Sequence, residues 1–475
     1  MTLPRSVRAD GATQPLRGRP RVAVVGAGIT GLVAARQLAA AGAQVTVIEQ
    51  ADQVGGQLQD ASVAGHRVDV GAESVFTAAP GPLELIEELG LADELVGARR
   101  ATTWIWTRRG LRALPEGFTP AGPSRLGPVL RSRVLSPAGM LRAGLEPLLP
   151  AARDRGDLAV GEYLEGRFGR EVVDRLVDPL LGGLHAGDVR RLSLEAATPQ
   201  LAALAAGHRS LLLRRRPAPP AGPTFVTLRT GMGTLTTRLA AATPEVELQL
   251  GTRVTQVERV AGSLQLSLAT GRTLGVDGVV VATPANIAAR LLSEGSPTAA
   301  GELEQLRAAS VVVTALAYPA AAAEVPAIAQ GTGILVPSTH PQLLKAATFL
   351  STKWPHHRHP SQVLIRASAG RAGDDRAIQL DDDQLVAQLH RELADATGLS
   401  VAPVDATIRR WPATMPQLEV GHRARLTTIH SALTNDLPGV VVAGAPYHGP
   451  GLSSCLRSAA TAATTLATAL EESHA

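Results

Sequence analysis

The chain predicts an α/β fold, α+β when its lobes are counted together, with one parallel nucleotide-binding sheet and a second, mixed sheet. Three observations lead there. A strand, glycine turn, helix and second strand open the ordered sequence at Arg21; a strand, glycine loop and small-residue helix close it; and a helix-rich stretch separates strand-rich segments in between. At 475 residues the chain exceeds one ordinary core, so two or three lobes around a deep interior are expected.

The first twenty residues carry four arginines and no apolar stretch, so residues 1–20 read as a loose tail rather than a secretory signal. The run "RVAVV" then reads as a buried parallel strand. In the turn that follows, Gly26 permits the tight bend, Gly28 lets the backbone approach a pyrophosphate, and Gly31 lets the helix pack close to the strand. Ala27, Ile29 and Thr30 complete this turn, whose helix start presents free N–H groups to negative charge. Glu49, twenty-three residues after Gly26, ends the strand "AQVTVIE" and suits ribose hydroxyls, with Gln50 beside it. This is a Rossmann-like unit. Gly55, Gly56 and Gln57 follow directly, a glycine pair that FAD proteins use under the ribityl and pyrophosphate and that plain NAD dehydrogenases lack. FAD is therefore the expected dinucleotide, and no second glycine fingerprint argues for a separate nicotinamide site.

Further along, residues 21–90, 224–287 and 431–475 read as one discontinuous FAD-binding domain, because the terminal glycine loop has no other obvious partner. Residues 91–223 read as mostly helical, with membrane association open, and end in the linker-like "RRRPAPPAGP". Residues 288–430 mix strands such as "SVVVTALAYP" with helices such as "DDDQLVAQLHRELADATG" and read as a substrate-binding domain with a mixed sheet.

Composition narrows the function. Apolar residues make up 45% and charged residues 19%, a globular balance. The net charge of +4 is small for this length, which speaks against a nucleic-acid partner and leaves an acidic substrate or an anionic membrane surface open. Only two lysines occur, Lys345 and Lys353. The single cysteine, Cys455, excludes a disulfide framework and a multi-cysteine metal site and fits a cytoplasmic setting; on an apolar helix face it reads as a buried structural thiol. No run of about 18 apolar residues suggests a membrane span. The histidines of "PHHRHP" lack regular ligand spacing and read as a solvated loop, so no metal is expected.

Several stretches, in order, resemble the flavin-dependent porphyrinogen oxidases, the family of protoporphyrinogen oxidase and the coproporphyrinogen III oxidase of Gram-positive bacteria. They are "GAGITGL" with "ADQVGG", "VGAES", "LLGGLHAGD", "VTLRTGMGTL", "VVVATPA", "GILVPS", "KAATFLSTKWP", "RRWPATMPQLEVGH" and "PGVVVAGAPYHGPGLSSCLRS". They run from about residue 21 to 470, nearly the whole chain. The resemblance implies flavin contacts at Gly71, Ala72, Glu73 and Ser74, an adenine contact at Val254, Trp411 near the flavin, and Gly444, Pro450, Gly451 and Leu452 at its pyrimidine end. It also implies that hydride passes to flavin N5 with no side-chain nucleophile or essential acid–base pair and that O2 accepts the electrons, and it leaves a transient contact with a ferrochelatase open. Coproporphyrinogen III is the preferred substrate. The alternatives are protoporphyrinogen IX, an FAD amine oxidase or desaturase, and a noncatalytic porphyrin-binding protein. Ala445, where amine oxidases carry an acid, and only three tyrosines favour a porphyrinogen.

The chain departs from the family pattern where substrate carboxylates are held. No arginine follows the "GAES" turn, Gln57 replaces a common basic residue, and His185 and Leu418 stand where tyrosine is frequent. Arg167, Arg170 and Arg175 are the candidate substitutes.

Overall fold

The computed structural model describes residues 18–119, 122–123, 125–150, 156–207, 209–213 and 222–473. Nearly all of the N-terminal tail and most of "RRRPAPPAGP" lie outside them. The chain divides into two compact units: Met1–Gln57, Leu235–Gln305 and Arg425–Ala475 form the first, and Leu58–Thr234 with Leu306–Ala424 the second.

The first unit is built on a parallel sheet of five strands. Its order is Glu247–Gln249, Gln44–Ile48, Arg21–Val25, Gly278–Val281 and Val440–Val442. Strand β1 (Arg21–Val25) sits at the centre with Val22 to Val25 buried, as expected for a strand covered on both faces. It leads into helix α1 (Ile29–Ala40) and then strand β2 (Gln44–Ile48). The C-terminal helix Leu452–Ser473 packs against α1, and its small residues Ala459, Ala462, Ala463 and Ala467 let it lie close. An antiparallel meander, Val254–Val260, Ser263–Leu268 and Thr273–Val276, completes the unit.

The second unit holds a mixed sheet of seven strands in the order Asp405–Pro416, Ala308–Pro319, Gln362–Ala369, Leu344–Phe349, Gly331–Leu335, Thr102–Thr107 and Gly110–Ala113. Only the pairing of Gly331–Leu335 with Thr102–Thr107 is parallel. One face packs under the helix Asp382–Thr397, burying Leu385, Leu389 and Leu393 against Phe349 and Ile365. The opposite face buries Val311, Val313 and Trp411 with Val63, Val68 and Val70. A separate helical core gathers Tyr163, Leu164, Phe168, Val172, Leu176 and Val177.

These units differ from the three-way division read from sequence. Residues 58–90 join the second unit because the hairpin Asp60–Val63/His66–Asp69 buries its valines under the mixed sheet. The stretch 91–223 is not helical throughout, since "TTWIWT" and "GLRA" become edge strands of that sheet.

Candidate functional site

In the first unit the glycine turn has the geometry that its sequence demands. Gly26 has φ +107° and its N–H donates to Ile48 O at 2.8 Å, which carries the chain out of β1 over the end of β2. A Cβ on Gly31 would lie 1.9 Å from Gly26 O, so only glycine lets α1 start this close to the strand. Gly28 forms a parallel bridge with Gly55, and a Cβ on Gly56 would approach Gly28 Cα to 3.0 Å. Gly55 N–H also donates to Ala27 O at 2.9 Å, so the glycine pair after β2 is seated on the glycine turn before α1.

Glu49 locks the same corner. Its carboxylate accepts from Ala27 N–H at 2.8 Å and from Ala51 N–H at 2.9 Å, leaving lone pairs for a ribose diol. No side chain caps α1 and no acid lies in its first turn, so the helix N-terminus keeps its attraction for anions. Ile29 and Thr30 are buried at that N-terminus, while Gln50 is exposed and Gln57 half-buried beside the glycine pair. Val254 begins the antiparallel meander and is buried.

The C-terminal loop returns to this corner. Gly444 has φ +124° at the end of Val440–Val442, and its N–H donates to Ser458 Oγ at 2.9 Å. A Cβ there would come within 3.8 Å of Thr30 Oγ1. Gly451 is exposed, Pro450 and Leu452 are half-buried, and the last helix begins at Leu452. Cys455 is buried, its sulfur directed to Gly449 O, and burial pushes its thiol pKa up against a hydrogen bond with Thr30. It is a structural thiol, as its position suggests.

In the second unit the turn Gly71–Ser74 is clamped from several sides. Trp411 donates its indole N–H to Val70 O at 2.8 Å, and Arg366 donates to Asp69 O at 3.1 Å and Gly71 O at 2.6 Å. The Glu73 carboxylate accepts from Lys353 Nζ at 2.7 Å, Trp354 Nε1 at 2.8 Å and Arg366 Nη1 at 3.4 Å. Burial alone would raise the Glu73 pKa, but the charges of Lys353 and Arg366 and the hydrogen bonds outweigh it and bring it down to about 2. Glu73 thus spends its side chain on internal ion pairs. Of the rest of the turn, Gly71 and Ser74 are half-buried and Ala72 is exposed. Sequence reasoning placed Glu73 and Trp411 but missed Lys353, Trp354 and Arg366; the signal was "STKWP", quoted only for its resemblance.

The three candidate carboxylate anchors are committed elsewhere. Arg167 is buried and forks onto the Glu146 carboxylate, with Pro150 O as a further acceptor, while Ser210 and Leu211 N–H complete the shell around Glu146. Arg170 pairs with Asp174 and Arg175 with Glu171, each one helical turn away. The histidine cluster also differs from a solvated loop: His357 is buried, and His66 stacks on His359 at 3.7 Å. Among the described residues no group of His, Cys, Asp and Glu is arranged to hold a metal, and no helix is long and apolar enough to cross a membrane.

The Cβ-free cradle, the uncapped helix and the carboxylate at the end of β2 fit an adenine dinucleotide, and the glycine pair fits FAD. Fold and site together define an FAD-dependent oxidoreductase. The model of the family "flavin containing amine oxidoreductase" matches residues 29–467. The chain is 34% identical to a coproporphyrinogen III oxidase of Mycobacterium tuberculosis, covering 94% of this chain and 97% of that one. It is 32% identical to a coproporphyrinogen III oxidase of Propionibacterium freudenreichii, covering 96% and 92%. Among solved structures, one from Exiguobacterium sp. 255-15, named as a candidate protoporphyrinogen oxidase, superposes with a TM-score of 0.85 at 28% identity over 94% of this chain and 99% of that one. The chain therefore belongs to the flavin-containing amine oxidoreductase family, in its porphyrinogen oxidase branch.

Proposed function

We propose that the protein oxidises coproporphyrinogen III to coproporphyrin III. The observation that carries this reading is the shared name of relatives at 30–34% identity whose full lengths the chain matches. The substrate loses six electrons and six protons, and three O2 accept them to give three H2O2. Bound FAD supplies the electron sink at its N5 position.

The chain's own residues bind and orient. The uncapped start of α1 would hold the pyrophosphate, Glu49 the ribose and Val254 the adenine. In the second unit the turn Gly71–Ser74, held by Arg366, Glu73 and Trp411, would contact the flavin through its backbone. In the first unit Gly444, Pro450, Gly451 and Leu452 would contact it, and the dipole of the last helix would favour negative charge there. An amine substrate fits less well. Tyr163, Tyr318 and Tyr447, the only tyrosines, are all buried and do not supply an aromatic cage, and Ala445 stands where an acid would.

The reading extends to a cytoplasmic enzyme that hands product to a ferrochelatase and touches an anionic membrane at its periphery. Leu141 and Leu148, 70% and 74% exposed near Arg142, support the membrane contact. The test of function is anaerobic mixing of the yellow enzyme with coproporphyrinogen III. Flavin bleaching, then recovery on admitting O2 with three O2 consumed per coproporphyrin, is expected. No bleaching refutes the reading, and bleaching with protoporphyrinogen IX alone reassigns the substrate.

A further inference from the structure

With Arg167, Arg170 and Arg175 committed, one buried cation of the second unit lacks an anion among the described residues. Lys345 is that group. It is 6% exposed, yet its ammonium has no hydrogen bond or ion pair among the described residues. Its position is built by a bulge in the mixed sheet: the pairing with Gln362–Ala369 slips between Leu344 and Ala346, leaving Lys345 as the extra residue. Leu344, Ala347 and Phe349 all belong to the core under Asp382–Thr397, a spacing of three that regular alternation does not allow. The bulge therefore turns Lys345 to the other face, where Ala346 and Thr348 pair with Ser368 and Arg366.

Two more unpaired nitrogens stand beside it. Arg371 donates through Nη2 to Val336 O, whose own N–H donates to Lys345 O at 3.0 Å, while Arg371 Nη1 is buried without a partner. His185 is buried, and its Nδ1 has no partner. Its placement is fixed: Gln417 Nε2 donates to His185 O at 2.9 Å and Ala372 N–H donates to Ala186 O at 2.7 Å, tying the His185 turn to the Arg371 turn.

The acids nearby, Asp178 and Asp374, attract Arg371, but neither of them acts on Lys345. Asp178 accepts from Ser338 N–H at 2.6 Å and Ser338 Oγ at 2.9 Å, Asp374 chelates Arg376, and Glu73 is the anion of Arg366. The electrostatics agree with an excess of positive charge. Burial, then Arg371 and Arg366, bring Lys345 down to about 7, and burial, then Lys345, bring His185 down to about 4.

We propose that Lys345, with Arg371 Nη1 and His185, forms a seat for one carboxylate of the substrate, taking the place of the family arginine that this chain lacks. The inference rests on the tetrapyrrole reading above. A carboxylate brings two acceptor oxygens to the Lys345 ammonium and Arg371 Nη1, with His185 as a third donor in its Nδ1–H tautomer, and gives the ammonium its counter-charge.

The sequence holds only two lysines, so lysine labelled with carbon-13 at Cε gives the holoenzyme two signals, Lys345 and Lys353. The Lys345 signal, identified by its loss in Lys345→Met or Lys345→Arg, is expected to titrate near neutrality. Saturating coproporphyrin III, which keeps the substrate's propionates, should raise that midpoint by at least one pH unit. The tetramethyl ester and inorganic phosphate should not move it. Lys345→Met should raise KM for coproporphyrinogen III at least tenfold with a less than threefold change in kcat, and Arg371→Gln should act in the same direction. A Lys345 midpoint unmoved by bound coproporphyrin, or an unchanged KM in a flavin-loaded Lys345→Met variant, overturns the seat. A midpoint that phosphate raises as much as coproporphyrin does makes it a general anion site and overturns the assignment to substrate. Wild-type protein that turns over coproporphyrinogen III while failing these tests sinks only the seat; protein that does not turn it over sinks the functional reading.

Discussion

Replacing Glu73 by glutamine tests the clamp on the Gly71–Ser74 turn. The change keeps size and an acceptor for Trp354 but leaves the half-buried Lys353 and Arg366 without their anion. Lowering the carboxyl pKa from 4.5 to about 2 is worth about 3 kcal/mol of native stability at neutral pH. Because the folded pKa lies below the unfolded one, that contribution is complete above pH 4.5 and fades as pH falls toward 2. At pH 3 about 2 kcal/mol of it has gone, by the same arithmetic over roughly 1.5 pH units. Glu73→Gln should therefore lower the melting temperature by roughly 3–5 °C at pH 7 and by about a third as much at pH 3. Flavin content after purification should fall with it. Thermal denaturation of both proteins at the two pH values measures the gap. A difference below about 1 kcal/mol at pH 7, or one that does not shrink in acid, refutes the reasoning.

Gly31→Ala should give a folded but colourless protein, because the added methyl drives α1 off Gly26 O; the ratio of flavin to protein absorbance reads this. Arg167→Met strands the Glu146 carboxylate in the helical core and should cost about 3–5 kcal/mol in denaturant unfolding, whereas removing an exposed pair such as Arg423 with Glu195 should cost under about 1 kcal/mol. Asp69 is raised by burial from 3.8 to about 7, against the hydrogen bond from Met232 N–H, so its contribution is present below pH 3.8 and is lost as pH rises to about 7. Asp69→Asn should remove that slope from a plot of unfolding free energy against pH.

The glycine turn was legible because its constraints are local. Gly26, Gly28 and Gly31 act within six residues, and Glu49 closes on Ala27 across one strand–helix–strand unit. The Glu73 clamp was not, since its partners Lys353, Trp354 and Arg366 lie 280, 281 and 293 residues away and no periodicity marks them. Arg167 read as a candidate carboxylate anchor because sequence shows its charge but not Glu146 buried opposite. "TTWIWT" was absorbed into a helical stretch because its place in the mixed sheet depends on Gly331–Leu335, far along the chain. The bulge at Lys345 is likewise a property of pairing, invisible in "LLKAATFL".

The parallel sheet of the first unit also dictates when the enzyme can acquire its colour during synthesis. Its central strand Arg21–Val25 leaves the ribosome early, yet its neighbour Gly278–Val281 and the edge Val440–Val442 come last. At bacterial or slower elongation rates the interval to that last strand is roughly 20–80 s, during which the nascent amino-terminal segment has Gln44–Ile48 on one flank and lacks the strands of the other for much or all of the time. Cofactor capture is then an event of chain completion, and a message cut short before Val440 yields a polypeptide whose first fifty residues are correct and useless.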